Sequence, residues 1–159
     1  MTNEQLAKIC VDLPGHWYTS AESLWAKPLG GNLYEVRSVP FAAYGLNFGD
    51  IVEAAPAANA LPCVQRVVKP SGRRTLRLFF NRLSVPDQSQ HLDRLAALGA
   101  EFERATDSLV AIDVPAGANY DAICDALWSL EQEGVLDYET CEIRRPGTFT
   151  DLAAAPDQT

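Results

Sequence analysis

Histidine and methionine are scarce in this sequence: two His and one Met stand among 159 residues. His16 and His91 lie far from one another and from the four cysteines, Cys10, Cys63, Cys124 and Cys141. No two of these thiols have metal-ligand spacing, so neither a structural zinc nor any other metal is expected. No apolar run approaches the roughly 20 residues that a membrane span needs. Met1-Thr2-Asn3-Glu4 lacks the basic start and apolar core of a signal peptide. The expected location is therefore the cytoplasm, where thiols stay reduced and disulfides are not expected. Catalytic signatures are absent too. There is no Gly-Xaa-Ser-Xaa-Gly, no P-loop and no dinucleotide fingerprint, and no Ser, Cys or Lys has a base partner at motif spacing. The expectation leans against an enzyme, and no cofactor is implied.

What is present is enough apolar material for a core, 47% of the chain, and an uneven charge. Residues 1–80 hold eight basic and six acidic residues, +2, whereas residues 81–159 hold five and fifteen, −10. An acidic half repels phosphate backbones, which argues against nucleic acid and favours a basic protein partner.

The pattern predicts an α+β protein. Arg74–Ile143 reads strand, helix, strand, strand, helix, strand. That order predicts a ferredoxin-like βαββαβ unit, an antiparallel sheet with two helices on one face. Its strands are read at Thr75–Phe80, Glu101–Ala105, Leu109–Val114 and Leu136–Ile143. Its helices are read at Gln88–Leu98, capped by Asp87, and from Tyr120, capped by Asn119. Leu92, Leu95 and Ala96 form one buried stripe, and Ile123, Cys124, Leu127 and Leu130 the other. Before this unit, short runs at Leu24–Leu29, Leu33–Val39, Ile51–Ala54 and Cys63–Lys69 predict a small curled antiparallel β subdomain. Its last strand is expected to continue as the first strand of the second unit. Glu4–Cys10 reads as a short helix, with Leu6, Ile9 and Cys10 on one face. The division is then 1–22 N-terminal segment, 23–73 β subdomain, 74–145 ferredoxin-like unit and 146–159 flexible tail.

Ser23-Leu24-Trp25-Ala26, Val39-Pro40-Phe41-Ala42-Ala43-Tyr44-Gly45-Leu46-Asn47-Phe48-Gly49-Asp50-Ile51-Val52, Leu76-Arg77-Leu78, Leu98-Gly99 and Ile112-Asp113-Val114-Pro115 resemble a family of small bacterial proteins. It is the family known as domain of unknown function 4265, and the resemblance runs from about Glu22 to Ile143. It implies a bacterial origin and a shared fold, with no mechanism attached.

Three groups of residues stand out. Trp25, Phe41, Tyr44 and Phe48, with Asp50, are candidates for a ligand pocket between the two halves. Asp50 also reads as a turn residue tied to its own backbone amides. His16-Trp17-Tyr18 reads as a flap over an apolar patch. Arg66, Lys69, Arg73, Arg74 and Arg77 gather around one hairpin, and a solvated face is expected of them. Asp113 is expected to point out of its sheet. The most suggestive set is acidic: Asp121, Asp125, Glu131 and Glu133 on one helix, then Asp137 and Glu139 on the next strand. Carboxylates at a helix C-terminus oppose its dipole, a cost that a basic partner can offset. The leading expectation is a stoichiometric, immunity-type inhibitor that neutralises a basic toxin or enzyme, as a monomer or weak dimer. The other is a small-molecule sensor, or a small enzyme, using the aromatic pocket.

Overall fold

The structure, a computed structural model, describes residues 5–14, 16, 19–58 and 60–143. Trp17, Tyr18 and the tail 146–159 fall outside them, and so do most of the expected flap and all of the expected tail.

Five strands form a closed barrel: β1 (Ala7–Asp12), β2 (Ala21–Gly30), β3 (Leu33–Val36), β4 (Ile51–Ala57) and β5 (Ala60–Lys69). Period-2 alternation sends Ile9, Leu24, Ala26, Val36, Val52 and Ala54 inward, with Val64 and Val67 packed against them. Two of these buried residues are alanines, which suits the narrow bore of so small a barrel. β1 overturns the helix expected over Glu4–Cys10. A short apolar run cannot distinguish the two periods, and closure decides the matter. β1 pairs antiparallel with β2 from Ala7↔Ala26 to Asp12↔Ala21, and parallel with β5 at Cys10↔Cys63. The barrel thus begins at Ala7, inside the N-terminal segment. It closes without the strand that was expected to be shared between the halves.

That strand, β6 (Arg74–Phe80), belongs to a separate four-stranded sheet with β7 (Glu101–Arg104), β8 (Leu109–Val114) and β9 (Leu136–Thr140). The order is β7-β8-β6-β9, every neighbour antiparallel. Two helices complete it, α1 (Val85–Ala97) and α2 (Tyr120–Gln132). Leu76, Leu78 and Phe80 of β6 join Val110, Ile112 and Val114 of β8, Leu95 of α1 and Ile123, Leu127 and Leu130 of α2 in one core.

α1 starts earlier than predicted. Ser84, not Asp87, is its N-cap: the Ser84 hydroxyl accepts from the Asp87 N–H at 3.4 Å and donates to the Asp87 carboxylate at 2.9 Å. Pro86 fits the first turn, where its missing N–H is not needed. Ala96 faces solvent instead of the core. α2 is capped as expected, Asn119 accepting from the Ala122 N–H at 3.1 Å.

The sheet face turned away from this core carries Thr75, Arg77, Asp113 and Glu139, all buried. Strand pairing places Arg77 opposite both Ala111 and Glu139, so these side chains share that face. Burying polar groups there requires partners: the loop between β3 and β4 supplies them to Thr75, Arg77 and Glu139, and Arg73 supplies one to Asp113.

Candidate functional site

Residues 37–50 link β3 to β4 and lie between the barrel and the sheet. Their carbonyls and amides are gripped from two sides. From the sheet, Arg77, with no exposed surface, donates to the carbonyls of Ala43 at 2.8 Å and of Pro40 and Ala42 at 3.3 Å. Its Nε donates to Glu139 at 3.0 Å, and the guanidinium lies over the Tyr44 ring at 4.5 Å. The Tyr44 hydroxyl donates to the same carboxylate at 2.9 and 3.0 Å. Burial pulls the Arg77 pKa down, and the Glu139 carboxylate, by its charge and its hydrogen bond, works against it, so the cation is held. Burial also pushes the Cys141 thiol up, to about 12.

From the barrel, the Glu22 carboxylate of β2 accepts from the amides of Phe41, Ala42 and Ala43 at 2.6, 3.1 and 2.9 Å. Asp50, 1% exposed, accepts from the Asn47 amide at 2.9 Å and the Ser71 amide at 2.8 Å. The second of these ties β4's start to the turn that leads out of β5. Gly45 closes the joint, its N–H donating to the Cys141 carbonyl at 2.7 Å. Its φ of +74° and the Glu142 carbonyl 3.3 Å from where a Cβ would sit both require glycine. The Val-Pro-Phe…Gly-Asp stretch is thus a structural joint.

The basic hairpin presents a solvated face only in part: Arg66 and Lys69 are exposed, and the other three are engaged with the rest of the molecule. Arg77 is buried, and Arg73 binds Asp113 and Glu101. Arg74 binds Glu142 and stacks over Tyr120 at 3.4 Å. Asp113 is buried at 2% exposure in the grip of Arg73, and does not point into solvent. Arg66, exposed, pairs with Glu53 at 3.5 Å.

The five pocket candidates separate. Trp25 and Phe41 line a cleft of about 480 Å³ with Lys8, Glu22, Ser38, Val39, Glu103 and Arg104. Trp25 is 47% exposed there, and the Lys8 ammonium sits 5.0 Å from its ring. Burial is the main cause raising the Glu103 carboxyl, against a hydrogen bond from the Val39 backbone that lowers it. Tyr44 and Asp50 are spent in the joint, and Phe48 lies under the Arg73 guanidinium at 5.2 Å.

The acidic candidates separate as well. Asp121 and Asp125 are exposed on the solvent side of α2, and Glu133, its C-cap, is exposed at its end. Glu131 is half-buried and accepts from the Tyr138 amide at 3.2 Å. Asp137 pairs across from Phe79, on the sheet face turned from the helix core, and Glu139 is buried beside Arg77. The surface that remains gains a residue that the charge pattern did not single out. Trp128, 57% exposed, lies in line with Asp121, Asp125 and Gln132, at helical steps of four, three and four. The signal was available: residue 128 falls off the buried stripe of Ile123, Leu127 and Leu130.

A family model described as "Domain of unknown function (DUF4265)" matches residues 22–138. Among curated proteins, none matches this chain. A solved structure described as a novel crystal structure of a hypothetical protein from Neisseria gonorrhoeae has the same fold, with a TM-score of 0.76 and 14% identity. The superposition covers 91% of this chain and 99% of that one.

Proposed function

The chain belongs to the family described as domain of unknown function (DUF4265), and we propose that it is a non-enzymatic binding protein, a stoichiometric inhibitor of the immunity type that covers a basic toxin or enzyme. The single observation that carries this reading is the exposed Trp128 among Asp121 and Asp125 on the outer face of α2. A large aromatic side chain left in water on a helix is the residue type that anchors protein interfaces. Carboxylates around it steer a basic surface and reject an acidic one. The absence of a basic residue from the last turn of α2 leaves Glu131 and Glu133 opposing the dipole, a local cost that a cationic partner offsets. We read the β7-β8-β6-β9 sheet with its two helices as the ferredoxin-like arrangement, which presents α2 outward on a rigid support.

The test is capture from the native cell's lysate on wild-type, Trp128→Ala and Asp125→Lys columns run side by side. A basic protein held at low salt by the wild type and lost by both variants supports the reading. A partner retained equally by all three contradicts it.

A second reading is favoured by the cleft. Trp25, Phe41, Lys8 and Glu103 surround about 480 Å³, the size of a small-molecule site, at the junction of barrel and sheet. There the ligand would stack on Trp25. Recovery of a small molecule from the purified wild type but not from Trp25→Ala supports it, and an empty extract from both removes it.

A further inference from the structure

The barrel closes at one parallel pairing, where Cys10 of β1 stands beside Cys63 of β5. Residues i and i+2 of a strand share a face, so Asp12 points to the same side as Cys10, while Ile9, fully buried, points into the barrel. The outer wall of this seam therefore carries two thiols and a carboxyl, drawn together from distant parts of the sequence. Cys10 Sγ, Cys63 Sγ and an Asp12 carboxylate oxygen all lie within 4.8 Å of one another. Cys10 Sγ is 4.0 Å from Asp12 Oδ1, and Cys63 Sγ is 3.8 Å from the Leu61 carbonyl oxygen. Both cysteines are half-buried and Asp12 is exposed, so the group is pre-positioned and still reachable from solvent.

We propose that Cys10, Cys63 and Asp12 bind a thiophilic divalent cation of the zinc class, with a solvent oxygen as fourth ligand. Two sulfurs and one carboxylate oxygen are a donor set that zinc accepts in tetrahedral geometry, and three protein ligands leave one position open. With Zn–S near 2.3 Å, donor atoms of a tetrahedral site stand roughly 4 Å or less apart. The proposal requires side-chain rotation to bring the three donors from within 4.8 Å to that spacing.

A cation of this class binds the two sulfurs as thiolates and releases their two protons, leaving a site of net charge −1 once Asp12 is counted. Affinity should accordingly rise with pH through neutrality, because metal competes with protons for sulfur. Spacing in sequence gives no sign of such a site, since it is made by barrel closure.

The test uses the full chain, reduced and freed of reductant, titrated with Co²⁺ and then Zn²⁺. Expected are a sulfur-to-cobalt charge-transfer band and strong visible bands of tetrahedral Co²⁺, saturating at one equivalent and bleached by one equivalent of Zn²⁺. Cys10→Ser and Cys63→Ser should each lose the sulfur band, whereas Cys124→Ser, on α2, should keep it. Asp12→Asn, exposed and safe for folding, should keep the band but weaken binding by at least the roughly tenfold that loss of an outer-shell partner produces. Circular dichroism of each variant separates loss of ligand from loss of fold. The proposal is overturned if the reduced wild type shows no sulfur-to-cobalt band, or if Cys124→Ser abolishes it. It is equally overturned if Cys10 and Cys63 are joined as a disulfide in the isolated protein and the reduced form takes up no cobalt.

Discussion

Arg77 shows how one residue can be decided by its surroundings. In the sequence it is one of five basic residues around a hairpin; in the structure it is the centre of the joint, with four acceptors and an aromatic ring around it. Removing one partner of a buried pair leaves the other uncompensated, so Arg77→Met should cost about 3–5 kcal/mol. Arg77→Met combined with Glu139→Leu should recover part of that loss, as the stranded carboxylate is gone. Denaturant unfolding of the single and double variants measures both values. Glu103 gives a pH signature of its own. Its carboxyl is raised by burial above the usual 4.5. A raised acid binds its proton more tightly when folded, so its stabilising contribution is full below pH 4.5 and fades as pH rises through the raised value. Glu103→Gln, permanently neutral, should therefore gain on the wild type from about pH 4.5 upward. Thermal melts across that range check it, and a difference independent of pH would exclude a raised Glu103.

At the scale of elements, α2 and β1 mark what sequence pattern can and cannot tell. α2 was legible from its start: the Asn119 cap and the Ile123-Leu127-Leu130 stripe are local features, and local features persist. β8 was legible too, read at Leu109–Val114 and found there. β1 was not, because Leu6, Ile9 and Cys10 satisfy helical spacing as well as Ile9 and Val11 satisfy strand spacing. Closing the barrel is a long-range requirement that six residues cannot announce. The same holds for the sites. Trp25 and Phe41 were marked as aromatic, but only the three-dimensional arrangement separates them from Tyr44, Phe48 and Asp50. Glu139 looked like its acidic neighbours until pairing with Arg77 removed it from the surface. Trp128 follows the helical logic of its element. At 57% exposure it contributes little packing, so Trp128→Ala should leave stability within about 0.5 kcal/mol. A large fall in the thermal midpoint would show that it belongs to the core and not to an interface.

The whole molecule is a barrel and a sheet bolted together through the loop of residues 37–50, with polar contacts on each side of that loop. Among the described residues, no helix is long and apolar enough to cross a membrane. The charge asymmetry, −10 in residues 81–159, belongs to the half of the sequence that contains α2. Charge and anchor should then separate kinetically. Exposed carboxylates act on the encounter, and a desolvated aromatic acts on the lifetime of the complex. The decisive measurement is the association and dissociation rate of the captured basic partner with wild type, Asp125→Lys and Trp128→Ala over a range of salt. The account predicts a wild-type on-rate that falls as salt rises and is lower for Asp125→Lys. It also predicts a faster off-rate for Trp128→Ala, worth about 2–4 kcal/mol of affinity. Rates indifferent to salt and to both substitutions would contradict it.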